Sequence, residues 1–325
     1  MIHDYGHSQA FVAGHLFSNE ASLCHSLVPH NKLQQRSGYK SEQIKTVMAI
    51  QKIDAHQHFW KFDPVRDSWI NDQMKVIQKD FLPGDLQQLL HDNGFAGCVT
   101  VQSDQSEQEN DFHIQNAEKF DFIKGIVGWV DLQAENVNER LEYYSRFKKL
   151  KGFRHVLQGE PQRDLMLQPS FMNGNRLLQQ YNFTYDILIY PDQLRFIPSF
   201  VASFPDQLFV IDHFAKPLIK DRQIDDWKKE IAAVAQYENV YCKISGMVTE
   251  ADWKSWKKED LVPYIDVIVE SFGTDRIMFG SDWPVCLVAA SYKEVVDIVA
   301  GYFSAFSQQE QNKFFTLNAT KFYNL

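Results

Sequence analysis

The sequence is poor in cysteine and has no spacing that would pair the few cysteines present. Neither a C-x-x-C motif nor a disulfide framework connects the four of them, Cys24, Cys98, Cys242 and Cys286. Three lie in apolar, strand-like segments, where a free thiol behaves as a small buried hydrophobe. We therefore exclude a disulfide-stabilised secreted domain and predict a reducing, cytoplasmic location.

Positive charge and long apolar runs are also scarce. The 33 Lys and Arg residues are outnumbered by 42 Asp and Glu, so the formal net charge is -9. Nucleic acids bind proteins through clustered Lys and Arg, so a nucleic-acid partner is not expected. No apolar run approaches the roughly 20 residues needed to span a bilayer, so a membrane partner is not expected either. The remaining composition, 44% hydrophobic and 23% charged, is ordinary for a globular enzyme.

Residues 1–47 lack a strong pattern of secondary structure. Histidines are frequent there but follow no ligand-like spacing. An apolar stretch over 11–17 has no basic residue before it and ends at Ser18, which is unlike a signal peptide. We interpret 1–47 as an N-terminal extension of a protein that could begin at Met48, and 48–325 as a single domain. The alternative is that 1–47 covers part of the surface of that domain.

From Met48 onward, apolar runs alternate with amphipathic segments of helical periodicity. Near-continuous apolarity suits strands buried on both faces, and their alternation with helices implies parallel βαβ units. Eight such units predict an α/β fold, a (β/α)8 TIM-type barrel. A doubly wound sheet is the alternative, but no glycine-rich fingerprint follows the first strand. The predicted strands are 52–60, 96–103, 123–132, 150–158, 184–190, 208–217, 240–248 and 277–285.

Two of the intervening helices can be bounded from their residues. Pro83 marks the start of one, Leu86 and Leu90 belong to its buried stripe, and Gly94 marks its end. A second helix is predicted to begin near Pro191.

The first predicted strand ends in a pair of histidines. In a barrel, the C-terminal ends of all strands open onto one face, where active sites are built. Because side chains alternate along a strand, His56 and His58 point to one side and Gln57 to the other. Two neighbouring imidazoles can bind a divalent ion, or hold a water molecule and a substrate carbonyl. Taken alone, the pair could also be two hydrogen-bonded histidines at a strand end.

Polar residues also converge at the ends of four other predicted strands. Each has a structural alternative: an ion pair between Arg154 and Asp212, a core histidine at His155, or neutralisation of a buried carboxylate by Lys243. Their shared position on one barrel face favours an active site over these separate explanations. The residues in question are Arg154, His155 and Gln158 on the fourth strand, Asp212, His213 and Lys216 on the sixth, Lys243 on the seventh, and Ser281 and Asp282 on the eighth.

This arrangement resembles the amidohydrolase superfamily, in which H-x-H lies on the first strand, His on the sixth and Asp on the eighth. More narrowly, it resembles the sugar-lactonase branch, which includes L-fuconolactonases and L-rhamnonolactonases. The likeness extends from about residue 50 to the C-terminus. The motifs that carry it are 53–60, 152–155, 212–217, 243–246, 279–284 and the closing segment 318–323.

One departure from the wider superfamily concerns metal binding. Many members place Lys or Glu on the fourth strand and His on the fifth, where they bridge two metal ions. Here the fifth predicted strand has no His and the fourth offers Arg154 and His155. We therefore expect either one divalent ion, with zinc the first choice, or a metal-independent site. The ligands for a single ion would be His56, His58, His213 and Asp282.

The resemblance implies hydrolysis of a sugar lactone to its aldonic acid. Asp282 is the predicted general base and later general acid. His56, His58 and His213 would hold the water and the carbonyl or bind zinc, and Arg154 and Lys216 would stabilise the oxyanion. The predicted substrate-binding residues are Arg154, His155, Gln158, Lys216, Trp60 and Trp283.

Three other functions remain open at this point. The same scaffold could hydrolyse a pyrone or a muconolactone, or it could decarboxylate an aromatic acid with a tightly bound metal. A non-catalytic sugar-acid binder is the third alternative, which the intact set of three histidines and Asp282 disfavours. The sequence does not indicate an oligomeric state.

Overall fold

The computed structural model describes residues 51–325. The predicted extension 1–47 and the candidate start at Met48 lie outside the described residues. Among the described residues, no helix combines the length and the apolarity that crossing a membrane requires.

Eight parallel strands form one sheet in sequence order, with helices between them. This confirms the predicted (β/α)8 barrel. The observed strands are shorter than the predicted runs, and the sixth and eighth end just before the polar residues that follow them. Their bounds are β1 Lys52–Gln57, β2 Phe95–Val101, β3 Ile123–Gly128, β4 Leu150–His155, β5 Thr184–Ile187, β6 Phe209–Ile211, β7 Val240–Ile244 and β8 Ile277–Phe279.

The two edges of the sheet meet immediately beyond β8. The Asp282 amide donates a hydrogen bond to the His56 carbonyl at 2.8 Å, and the His58 amide donates to the Trp283 carbonyl at 2.7 Å. Gln57 and Trp283 form a parallel bridge at the same level. The backbone contacts that join the first and last strands therefore bring the H-x-H motif next to Asp282.

The helices begin and end where local sequence signals place them. Pro83 lies in the first turn of α1, whose Leu86 and Leu90 are buried, and Gly94 follows its end with a φ of +74°. The helix predicted near Pro191 begins as a 3-10 turn and continues as α5. The α-helices are α1 Pro83–Asp92, α2 Glu107–Lys119, α3 Val137–Tyr144, α4 Pro169–Gln180, α5 Ile197–Ala202, α6 Asp225–Val234, α7 Met247–Glu250, α8 Lys258–Phe272, α9 Tyr292–Phe303, α10 Gln308–Asn312 and α11 Asn318–Tyr323.

Because successive side chains of each strand point to opposite faces of the sheet, the buried apolar residues form two clusters. The larger one packs the outer faces of the strands against the helices, and includes Cys242 and Ile244 of β7. The smaller one includes Tyr241 of the same strand and packs against Phe322 and Tyr323 of α11. The C-terminal helix thus closes the interior at one end of the barrel and leaves the other end for the polar residues.

Candidate active site

Three imidazoles and one carboxylate meet at the C-terminal ends of β1, β6 and β8. The Nε2 atoms of His56 and His58 are 3.2 Å apart. The Oδ1 atom of Asp282 lies 3.4 Å from Nε2 of His58 and 3.9 Å from Nε2 of both His56 and His213. All four side chains are buried. The structure therefore brings together the four residues that the sequence predicts as the catalytic set.

The backbone around His213 departs from the predicted strand. Strand β6 ends at Ile211, and residues 213–216 have φ values of 51°, 56°, 58° and 52°, in the left-handed region. Such a conformation costs roughly 1–2 kcal/mol for each non-glycine residue. His213 and Lys216, at the two ends of this turn, both line the cavity of the site. The prediction of a strand over 208–217 is wrong beyond residue 211.

Two contacts hold this left-handed turn in place. The indole nitrogen of Trp227 donates a hydrogen bond to the Phe214 carbonyl at 2.7 Å. The His213 ring lies against Gly246, where an added Cβ would be 2.6 Å from His213 Nδ1. Gly246 also has a φ of +63°, so glycine is required there both for its backbone and for the room it leaves.

Hydrogen bonds to the ring nitrogens orient His58 and His213. Nδ1 of His58 is 2.7 Å from the Val101 carbonyl, which can only accept, so Nδ1 carries the proton and Nε2 keeps a lone pair. Nδ1 of His213 is 2.9 Å from the Ser245 hydroxyl. Burial lowers the pKa of both His213 and His56 well below the usual range, which keeps these two rings neutral near pH 7.

A charged cluster lies directly behind His56. Lys243 Nζ is 2.5 Å from Asp186 Oδ2 and 3.0 Å from Asp212 Oδ1, while Arg154 Nη1 is 3.1 Å from Asp212 Oδ2. Two cations thus balance two carboxylates in a region shielded from water, as buried charges require. This agrees with the structural explanation of Lys243 as the partner of a buried carboxylate.

The pKa values of the two carboxyl groups in the cluster shift in opposite directions, although burial acts to raise both. Burial raises the pKa of Asp186 to about 6, although Lys243 opposes the rise. Burial also acts to raise the pKa of Asp212, but the charge of Lys243 and contact with His56 prevail and hold it well below its usual range. Asp212 is therefore the permanent anion of the cluster.

A cavity of about 450 Å³ opens above the imidazoles. Of the predicted substrate-binding residues, Arg154, Gln158 and Lys216 line it. The sequence reasoning missed other lining residues, among them Arg66, Trp69 and Tyr190. Tyr190 ends the fifth predicted strand and could have been found by including aromatic residues among the strand-end candidates. Arg66 and Trp69 lie in the loop after β1, where no pattern marks them.

The structure does not bring the other three predicted binding residues to this cavity. Trp60 is only 2% exposed, and its indole nitrogen donates to the Lys79 carbonyl at 2.9 Å. Trp283 is equally buried and packs against aromatic rings. His155 is 2.8 Å from Glu160, on the far side of β4 from its neighbour Arg154. The two tryptophans therefore pack in the core, and His155 pairs with Glu160 outside the cavity.

Two sets of three donor atoms at the site are close enough to share a metal ion. Tetrahedral zinc with ligands at about 2.1 Å has donors about 3.4 Å apart, near the 3.2–3.9 Å separations found here. His56, His58 and Asp282 form one set that could hold an ion. His56, Asp212 and His213 form another.

A (β/α)8 barrel with two histidines at the end of β1, one after β6 and an aspartate after β8 defines an enzyme of the metal-dependent amidohydrolase class. The comparison with family models agrees. The chain belongs to the amidohydrolase family, whose model matches residues 53–325.

Curated relatives and a solved structure show what the chain is similar to. It is 37% identical over 262 residues to an L-fucono-1,5-lactonase from Burkholderia multivorans, covering 78% of this chain and 88% of the relative. An L-fucono-1,5-lactonase from Burkholderia ambifaria is 32% identical over 244 residues, covering 74% and 83%. A crystal structure of an amidohydrolase from Burkholderia multivorans with bound zinc superposes with a TM-score of 0.82 at 35% identity, covering 84% of this chain and 99% of that one.

Proposed function

We propose that this enzyme hydrolyses the ring ester of a neutral sugar lactone, of the L-fucono-1,5-lactone or L-rhamnonolactone type, to the aldonic acid. The observation that carries the proposal is the Asp282 carboxylate, which lies at the cavity within 4 Å of three imidazole nitrogens. The names of the two curated relatives support the substrate class.

In this mechanism Asp282 serves both proton transfers. It accepts a proton from water as the water oxygen attacks the lactone carbonyl carbon. It then returns that proton to the ring oxygen as the carbon–oxygen bond of the ester breaks. One carboxyl group is therefore both base and acid, and the products are a carboxylic acid and a free hydroxyl group.

Positive charge at the cavity wall stabilises the intermediate. Attack on the carbonyl places negative charge on its oxygen, and fixed donors directed at that oxygen lower the barrier. Arg154 and Lys216 both line the cavity. Lys216 stays charged, because Glu250 and Asp282 outweigh the effect of burial and raise its pKa.

A divalent ion would fit the same donor set. Held by His56, His58, His213 and Asp282, it would acidify the attacking water. Zinc is the ion expected from these ligands. The protein groups keep the roles given above whether or not an ion is bound.

The pairing of the cavity's cations favours a neutral substrate. Arg66 is bound by Asp67 at 2.7 Å, and Lys216 is bound by Glu250 at 3.0 Å. Arg154 is bound by Asp212. Each Arg or Lys among the described residues lining this cavity therefore already has a carboxylate partner. A pyrone dicarboxylate would find no unpaired cation there, whereas the hydroxyl groups of a sugar need none.

A substrate panel tests the proposal. We expect purified enzyme to hydrolyse L-fucono-1,5-lactone or L-rhamnonolactone at least about a hundredfold faster, in kcat/KM, than 2-pyrone-4,6-dicarboxylate or a muconolactone, a margin of about 3 kcal/mol. Metal content is measured in the same samples before and after chelation. Preference for the dicarboxylate, or decarboxylation of an aromatic acid that is lost with the metal, would contradict the proposal.

A further inference from the structure

Lys243 takes no part in the proposed reaction, yet it contacts the site. Its ammonium is fully buried in β7 and has three close neighbours. Two are the carboxylates of Asp186 and Asp212, at 2.5 and 3.0 Å. The third is Nδ1 of His56, at 3.1 Å. An ammonium group has three N–H donors and no acceptor, so each neighbour must present a lone pair to it.

The contact between Lys243 and Nδ1 of His56 affects which nitrogen of the His56 ring carries the proton. A neutral imidazole has one protonated and one unprotonated nitrogen, so a ring that accepts from Lys243 at Nδ1 is protonated at Nε2. The competing acceptor for a proton on Nδ1 is Asp212. Its Oδ1 atom is 3.3 Å from Nδ1 of His56 but only 3.0 Å from Nζ of Lys243, which is the nearer donor.

The surrounding hydrogen bonds are consistent with a proton on Nε2. Nε2 of His56 is 3.2 Å from Nε2 of His58, which is an acceptor because its own Nδ1 proton goes to the Val101 carbonyl. One contact opposes this arrangement: Arg154 Nη1 is 3.5 Å from Nε2 of His56. It is the longer contact, and the same Nη1 atom has its nearer acceptor in Asp212 at 3.1 Å.

We propose that Lys243 is a positioning residue that holds His56 in the Nε2-protonated tautomer. The N–H of His56 then faces the reaction centre as a hydrogen-bond donor. A metal ion needs a lone pair on that same nitrogen. To bind one, His56 must move its proton to Nδ1, where it would face an N–H of Lys243. Lys243 therefore weakens metal binding at His56 and favours hydrogen bonding by it.

The test uses a charge-balanced variant. Replacing Lys243 alone would leave two buried carboxylates with only Arg154. The double variant Asp186→Asn/Lys243→Met removes one charge of each sign, and the amide oxygen introduced at position 186 can still accept the Tyr323 hydroxyl that now bonds to Asp186. The single variant Asp186→Asn is the matched control, because it keeps the contact between Lys243 and His56.

The tautomer is read directly by two-bond proton–nitrogen NMR spectra of protein labelled with ¹⁵N-histidine, with the His56 signals assigned by their loss in His56→Asn. We expect Nε2–H in the wild type and in Asp186→Asn. We expect Nδ1–H in the double variant, where Asp212 becomes its acceptor. Zinc affinity, measured by competition with a chelator, should be at least about tenfold tighter in the double variant than in the control.

Either of two results would overturn the proposal. One is a proton on Nδ1 of His56 in the wild type, which needs no variant to observe. The other is the same His56 tautomer in the double variant and its control, whatever their zinc affinities. Neither measurement involves a substrate, so its outcome is independent of the test of the proposed function.

Discussion

Single residues at the cavity show where sequence reasoning on side-chain direction holds and where it fails. His56 lies in β1 and His58 directly follows its end, and the two point to one side as the strand period of two predicts. Trp60 lies three residues beyond the end of β1, where that period no longer holds, and the structure buries it. Trp69 does reach the cavity, and it packs edge-on against Trp60 with 6.0 Å between ring centroids.

Trp69 should therefore contribute to substrate binding. Its side chain is 42% exposed and lines the cavity. Truncation in Trp69→Ala should raise KM at least about fivefold with a smaller change in kcat, since an aromatic contact is worth about 1 kcal/mol. Tyr143→Ala is the control, because Tyr143 is a similarly exposed aromatic residue on α3 that does not line the cavity. Equal KM values for the two variants would count against this role.

Glu109 has a structural role in the wall of the cavity. It accepts hydrogen bonds from the Ser103 hydroxyl at 2.6 Å and from the amides of Ser103 and Asp104 at 3.0 and 2.8 Å. Burial acts to raise the pKa of Glu109, but His113 and these hydrogen bonds prevail and lower it. The ionised carboxylate of Glu109 is therefore stabilised more in the folded state than in the unfolded state.

The pH dependence of stability follows from that lowered pKa. A carboxyl group with a depressed folded-state pKa stabilises the protein above its unfolded pKa of about 4.3, and the contribution is lost as pH falls through the folded value. Glu109→Gln should lower the free energy of unfolding by about 1–3 kcal/mol at pH 7. Denaturant titrations of both proteins should converge as pH falls below about 4.3. A gap that widens on acidification would contradict the assignment.

Among the elements, the strand–helix alternation could be predicted and the turn after β6 could not. Buried strands and helix caps leave local signals, such as Pro83 and Gly94 around α1, because each signal reflects the conformation of its own residue. The turn at 213–216 places four consecutive non-glycine residues in the left-handed region, against their local preference. Tertiary contacts such as the Trp227 hydrogen bond to Phe214 stabilise it, and no local sequence pattern marks them.

Gly246 offers a test of that turn. Gly246→Ala would put a methyl group 2.6 Å from His213 Nδ1, so the ring must move. We expect kcat to fall at least about tenfold, as small displacements of catalytic groups are costly. Gly94→Ala is the control: Gly94 has a φ of +74° and nothing within 4 Å of an added Cβ. Both variants should lose stability because of the positive φ, Gly246→Ala the more because of its clash with His213, and only Gly246→Ala should lose activity. Similar activity in the two would contradict the argument.

For the molecule as a whole, the backbone contacts that close the barrel also bring the residues of the site together. The backbone hydrogen bonds that join the chain after β1 to the chain after β8 involve His56, His58, Asp282 and Trp283. The eightfold alternation made the barrel predictable from sequence, and the known geometry of a barrel then predicted which residues would converge. The cavity walls depend on loop conformations, which strand order does not determine, and this is why Arg66 and Trp69 were missed.

The most direct test of the proposed chemistry compares wild-type enzyme with Asp282→Asn in a pH-stat assay of acid release from L-fucono-1,5-lactone. Loss of a general base should lower kcat at least about a hundredfold. Asp192→Asn, at an exposed carboxylate on the surface, is the control and should match the wild type. Unchanged circular dichroism would show that the fold is intact. Absence of lactone hydrolysis by the wild type, or near-normal turnover by Asp282→Asn, would contradict the proposed function.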